Sequence, residues 1–240
     1  DKVCGCRVTV RPVVESLEVW PTHIGIHHYE MASNVNPLFR KIFHTMRVTD
    51  DYNSQNNPFY ASRDDLLNRV KLNEWTDFVN FAVAAIRDSA KLANVGVWPE
   101  ESVDLQIEIK GIWFQISNGG VHHDIHTHGN CSWSAVYIVD VDEHERRISH
   151  PSYGAMNGVT RFYSPLFERL GGAYSDFGNA YLQNATADFD PIPGRLIIFP
   201  SWLPHQAMPY QGDRDRVIIS FNAGVGRIGQ SDALSEYASS

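Results

Sequence analysis

Cysteine is scarce: Cys4, Cys6 and Cys131 are the only thiols in 240 residues. An odd count excludes a disulfide framework, and Cys4-Gly5-Cys6 lacks the second pair that would complete a zinc tetrahedron. We therefore expect reduced thiols and a cytoplasmic location. Positive charge is short as well. Lys and Arg number 20 against 28 Asp and Glu, for a formal net charge of −8, and basic residues adjoin only at Arg40-Lys41 and Arg146-Arg147. That argues against binding duplex nucleic acid, where affinity comes largely from neutralising phosphates. Long apolar runs are missing too; none approaches the ~18 residues of a membrane span. The chain opens on Asp1 rather than Met, so we read it as trimmed or as a fragment, and it shows no basic, apolar signal segment. With no internal repeat or linker, the expectation is a single domain over 1–240.

Histidine, in contrast, is plentiful. His122-His123-Asp124-Ile125-His126-Thr127-His128 packs four imidazoles and a carboxylate into seven residues, after the Gly119-Gly120 turn. Side chains two apart on a strand point the same way, so such a strand end can aim two ligands at one ion.

The surrounding pattern divides in two. Val8, Val10, Val13 and Val14 suggest an edge strand with Pro12 keeping it peripheral, and Ile24 and Ile26 suggest another. Asn36-Pro37 has the form of a helix start, Asn as cap and Pro at the first helical position. Leu38, Ile42, Phe43 and Met46 follow as its apolar face. Leu66, Leu67 and Val70 mark a short helix. From Asn73 the recurrence of Trp75, Phe78, Val79, Ala82 and Ile86 predicts a long one ending near Asn94. Beyond Trp98-Pro99 the period changes to two: residues 105–110 alternate strictly, and 112–116, 133–139, 195–199 and 216–221 read as further strands. Residues 142–180 are polar and glycine-rich, the composition of a covering loop, with one strand-like piece around Thr160-Arg-Phe-Tyr and Arg161 as a candidate substrate anchor. The order predicts an α+β, mainly β fold: helical support over about 36–96, a β core over about 103–223, and a frayed polar tail over 224–240.

Two distant residues give the cluster a purpose. His205 lies 77 residues after His128, in a loop bracketed by Pro204 and Pro209, and Arg216 begins the next strand. A close ligand pair, a remote histidine and a basic residue one strand on would encode a three-ligand metal site with a carboxylate anchor. Three protein ligands leave three positions open, which suits non-haem iron(II) and oxygen chemistry; imidazoles alone would also suit zinc.

These residues carry a family resemblance. Trp113-Phe-Gln-Ile-Ser, Gly120 to His128 and Ser132-Trp-Ser-Ala-Val-Tyr-Ile-Val resemble the metal-binding half of the iron(II)/2-oxoglutarate-dependent oxygenases, in the branch that reads H-x-H followed by S-G-V-Y-Y. Gly194-Arg-Leu-Ile-Ile-Phe-Pro-Ser-Trp-Leu-Pro-His205 and Arg216-Val-Ile-Ile-Ser-Phe-Asn222 resemble its second half, G-x-L-x-x-F-P-S-W-L-x-H and R-x-S-x-S-F-N. The resemblance covers roughly residues 105–222, and more loosely the start near Trp20-Pro-Thr. It implies a double-stranded β-helix (a jelly roll, cupin-like) flanked by N-terminal helices, with Fe(II), 2-oxoglutarate and O2 as cofactor and co-substrates. His126 and His205 are implied as iron ligands, and Arg216 as the partner of the distal carboxylate of 2-oxoglutarate. The sequence departs from the pattern in three places. Ala135 replaces a Gly, Ile138 a Tyr, and Ile218 stands where R-x-S wants a hydroxyl, leaving Ser220 to contact the co-substrate.

The remaining ligand has two candidates. His128 fits the H-x-H register of the branch, and we favour it; Asp124 fits the H-x-D spacing of the wider superfamily, as His122-His-Asp. The activity implied is oxidation of a C–H bond, hydroxylation by default, with succinate and CO2 as co-products. The expected substrate is a small molecule, without nucleic-acid or membrane partners, and a homodimer is the default assembly. A cupin-type metal enzyme is the rival, since Gly120-x5-His126-x-His128 also begins its motif. Yet Ser132 and Trp133 stand where its glutamate belongs, and His205 follows Gly194 at too long a spacing. A non-catalytic, metal-stapled binding module is the rival of a different class.

Overall fold

The computed structural model describes residues 21–98, 104–166 and 184–228. Ten strands among them form two antiparallel sheets. The strands are β1 (Gly25–His28), β2 (Phe59–Ala61), β3 (Leu105–Ser117), β4 (Val121–His126) and β5 (Trp133–Asp140), then β6 (Thr160–Tyr163), β7 (Thr186–Phe189), β8 (Arg195–Pro200), β9 (His205–Tyr210) and β10 (Arg216–Arg227). Six make one sheet in the order β1-β8-β5-β10-β3-β2, and four make the other as β4-β9-β6-β7. Two facing antiparallel sheets with such crossovers form a double-stranded β-helix core, with the N-terminal helices against the larger sheet.

Strand periodicity separates two cores. On β10, Val217, Ile219, Phe221 and Ala223 face the helices, while Ile218 faces the small sheet. On β5, Ala135, Tyr137 and Val139 take the helical side and Val136 and Ile138 the other. Both faces of these central strands are buried, so they read in sequence as continuous apolar runs. The helical side is closed by α1 (Ala32–Asp50) and α3 (Asn73–Ala93), with the short α2 (Leu66–Arg69) between them. Their inward stripe is aromatic. Phe39, Phe43, Trp75 and Phe78 interlock edge-to-face, and Phe43 stacks on Phe114 of β3 with centroids 4.4 Å apart. Each such ring contributes roughly 1.5–3 kcal/mol by burial.

Three expectations change here. α1 starts at Ala32, with Met31 at its cap, and Pro37 lies inside it. Asn36 is no cap: its amide donates to the Val139 carbonyl at 2.8 Å, and its carbonyl oxygen accepts from the Tyr137 hydroxyl at 2.7 Å. The two buried hydrogen bonds to the sheet offset part of the cost of the helical bond lost at Pro37. The tail does not fray at Gly224 either, since β10 continues to Arg227, paired with Leu105. The larger sheet also recruits β1 and β2, from before residue 103. The edge strand expected near Val8 to Val14 lies outside the described residues. No helix among the described residues is long and apolar enough to cross a membrane.

Candidate metal centre and co-substrate groove

The site is built where the small sheet faces the large one. His126, the last residue of β4, and His205, the first of β9, are register partners, and Phe162 of β6 lies across from His205. His128 follows β4, its backbone N–H held by the Ser201 carbonyl at 2.9 Å. One nitrogen from each of His126, His128 and His205 lies within 4.8 Å of the others. Nε2 of His128 and Nε2 of His205 are 3.3 Å apart, close to the roughly 3 Å that two adjacent ligands take around an ion with bonds of about 2.1 Å.

The outer nitrogens are already engaged. Nδ1 of His126 contacts the Asp124 carbonyl at 2.7 Å, and Nδ1 of His205 the Leu203 carbonyl at 3.0 Å. A carbonyl accepts only, so each Nδ1 carries the proton and each Nε2 keeps a lone pair for a metal. Burial pushes the His205 imidazole down to about 3, against the Leu203 hydrogen bond, with the neighbouring histidines adding to the fall. Burial and His126 push His128 down to about 4. Both are neutral ligands at pH 7. Phe199 packs 4.5 Å from the His205 ring, centroid to centroid, and walls off water on that side.

Asp124, the alternative ligand, is turned away. Its side chain is 96% exposed and meets only His122, at 3.4 Å. The cause is a register shift: β4 spends three residues between His123 and His126 where β9 spends two between Ala207 and His205. An inserted residue breaks the alternation, so Asp124 and Ile125 both face out while His123 and His126 both face in. Among the described residues no carboxylate joins the cluster, and Asp124 supports His126 through its backbone oxygen alone.

A groove of about 520 Å³ runs past these histidines, lined on β10 by Arg216, Ile218, Ser220 and Asn222, and on β3 by Trp113 and Gln115. Arg216 forms one end. It is 3% exposed, and burial lowers its pKa to about 10. Its Nε has no hydrogen-bond partner, and the flanking Asp213 and Asp215 are occupied elsewhere: Asp213 pairs with Arg146, and Asp215 with Asn118. A buried guanidinium without counter-charge is costly, and an anion in the groove would relieve it. The donor set therefore fits both a metal and an anionic co-ligand. Sequence reasoning missed His123, half-buried on the groove wall with its ring 5.3 Å from His126, and Thr160 and Asp64, which line the same space. Strict alternation from His126 points to Asp124 and His122; it is the bulge that brings His123 inward. Arg161 is not a free anchor: Asp188 grips its guanidinium with two bonds, of 2.7 and 2.8 Å.

Residues 111–222 match the family described as "Putative 2OG-Fe(II) oxygenase". That segment, from Gly111 of β3 to Asn222 of β10, belongs to the family. The match spans every histidine of the cluster and Arg216, and Fe(II) and 2-oxoglutarate are the cofactor and co-substrate that this oxygenase membership and the histidine triad imply. No curated protein matches the chain. Among solved structures, a prolyl-4-hydroxylase from Pseudomonas putida is 15% identical, with a TM-score of 0.48, covering 84% of this chain and 92% of its own. HygX from Streptomyces hygroscopicus, with nickel and 2-oxoglutarate bound, is 10% identical, with a TM-score of 0.49, covering 85% of this chain and 82% of its own.

Proposed function

We propose that this chain is a single-domain Fe(II)- and 2-oxoglutarate-dependent dioxygenase that oxidises a C–H bond of a small molecule, by hydroxylation in the default outcome. The observation that carries the reading is Arg216, a buried cation with no counter-ion among the described residues, at the end of the groove that holds the three histidines. His126, His128 and His205 hold the iron through neutral nitrogens, so the ligand dianion balances its charge. Arg216 receives the distal carboxylate through paired charge-assisted hydrogen bonds, and Ser220 borders the path between. Bound there, iron supplies the dioxygen chemistry, with 2-oxoglutarate oxidised to succinate and CO2 as the C–H bond is oxidised.

The chain contributes orientation and dryness. Phe199 and Phe162 pack behind the histidines, while Trp113, Asp64 and Asn222 line the groove beyond them, where the substrate would lie. A volume of about 520 Å³ falls within the ordinary range of small-molecule sites.

The test is anaerobic titration of 2-oxoglutarate into the Fe(II)-loaded protein, followed by succinate measurement on admitting oxygen. Binding together with succinate formation supports the reading; absence of both ends it. Arg216→Ala should raise the 2-oxoglutarate requirement at least tenfold, roughly the worth of a hydrogen bond to a charged group, and leave iron content unchanged. Loss of iron instead would make Arg216 structural.

A further inference from the structure

Two buried polar atoms on the groove have no hydrogen-bond partner among the described residues: Nε of Arg216 and the hydroxyl oxygen of Thr160. Thr160 is 3% exposed, and a buried hydroxyl left without a hydrogen bond is unfavourable. Strand register fixes its place. On the small sheet Thr160 lies across from Ala207, and Ala207 across from His123. One step towards the cluster, two residues on β6 and β9 and three on the bulged β4, the same strands carry Phe162, His205 and His126. One such step on a strand is about 6.6 Å, close to the span of a five-carbon dicarboxylate bound to a metal by its keto-acid end. Ala207, with its single methyl, leaves a trough between His123 and Thr160 for that carbon chain.

Arg216 reaches the same end of the trough from the opposite sheet. Its Cδ lies 3.5 Å from where a Cβ on Gly158 would stand, and Gly158 is two residues before Thr160. Between the two sheets, β10 offers only the apolar Ile218 where the R-x-S pattern would place a hydroxyl.

Resting on the oxygenase reading, we propose that the Thr160 hydroxyl donates a hydrogen bond to the distal carboxylate of 2-oxoglutarate beside Arg216, supplying from the small sheet the hydroxyl that Ile218 removes from the large one. The anchor is then a pair drawn from both sheets, and it selects for keto acids with a second carboxylate. Thr160 is a binding residue in this scheme; it touches neither the metal nor the substrate.

The test is Thr160→Val, which keeps the shape and deletes the hydroxyl, with Thr160→Ser as its conservative counterpart. Mn(II)-loaded proteins are titrated anaerobically with 2-oxoglutarate and with 2-oxopentanoate, which has the same carbon chain without the second carboxylate. Expected is a loss of about tenfold or more in 2-oxoglutarate affinity for Thr160→Val, near-complete recovery in Thr160→Ser, and no change for 2-oxopentanoate or Mn(II). Thermal midpoints of the ligand-free proteins show that Thr160→Val folds. An equal loss for both keto acids, or a loss of Mn(II), would overturn the proposal. So would unchanged 2-oxoglutarate affinity in Thr160→Val. Failure of the wild type itself to bind 2-oxoglutarate would instead remove the oxygenase reading, and this anchor with it.

Discussion

His126 and His205 are register partners across the β4–β9 pair, with ring centroids 4.3 Å apart. A backbone ladder thus sets two of the three clustered imidazoles opposite each other before any metal arrives. His128 completes the set from a loop whose backbone is tied to Ser201. Replacing His128 or His205 by Ala should lower Fe(II) or Mn(II) affinity by more than the roughly 10–100-fold typical of losing a supporting partner alone. Asp124→Ala should leave affinity within about twofold, because only the backbone oxygen of Asp124 touches a clustered histidine. Calorimetric metal titration of the three variants separates the two ligand sets, and a large loss in Asp124→Ala would reinstate the carboxylate.

Asn36 joins α1 to β5 through two buried hydrogen bonds, to Val139 and Tyr137. Asn36→Ala should cost about 2–4 kcal/mol, since it strands a carbonyl and a hydroxyl as well as removing their partner. Urea unfolding measures it. A cost below about 0.5 kcal/mol would mean that water fills the gap.

Asn36 also shows where sequence reasoning ends. Asn followed by Pro is a good helix start, and nothing local distinguishes it from a buried amide whose partners are a hundred residues away. Long periodic elements were legible: α3 follows from Trp75, Phe78, Ala82 and Ile86, and the central strands from their apolar runs, because periodicity is local. The grouping of His126, His128 and His205 was legible through motif spacing. The choice between His128 and Asp124 turned on one extra residue in β4, which depends on pairing with β9 and leaves no local mark. Thr160 opens a strand-like piece inside a glycine-rich stretch, and alternation over four residues does not show which face meets the site.

The buried histidines make stability pH-dependent. His205 is held near 3 by burial, against an ordinary value near 6.5 in the unfolded chain. Between those values the unfolded state binds the proton and the folded state does not. Stability of the metal-free protein therefore rises with pH through this window, and is lost as pH falls from about 6.5 towards 3. The slope from one such group is at most about 1.4 kcal/mol per pH unit, or a few degrees of melting temperature for a domain of this size. The melting temperature should fall accordingly between about pH 7.5 and 5, and the fall should be smaller in His205→Gln. Equal slopes in both proteins would show that His205 is protonated in the folded state.

Gly158 connects backbone geometry to the co-substrate groove. Its φ is +77°, and an added Cβ would stand 2.8 Å from the Tyr210 ring and 3.5 Å from Cδ of Arg216. Gly158→Ala therefore meets two penalties: about 1–2 kcal/mol for a left-handed alanine, and displacement of a fully buried ring that has little room to move. Tyr210 also holds the turn before Arg216, its hydroxyl donating to the Arg214 carbonyl at 2.8 Å and accepting from the Asp142 N–H at 3.1 Å. The ring cannot retreat without shifting the strand that begins at Arg216. Gly158→Ala should thus lower stability by about 2–3 kcal/mol and weaken 2-oxoglutarate binding, while Mn(II) affinity stays near wild type because the histidines stand further along the strands. Unfolding free energy and the two titrations check this together. A variant that loses stability yet binds 2-oxoglutarate normally would show that the guanidinium position does not depend on the Gly158 gap.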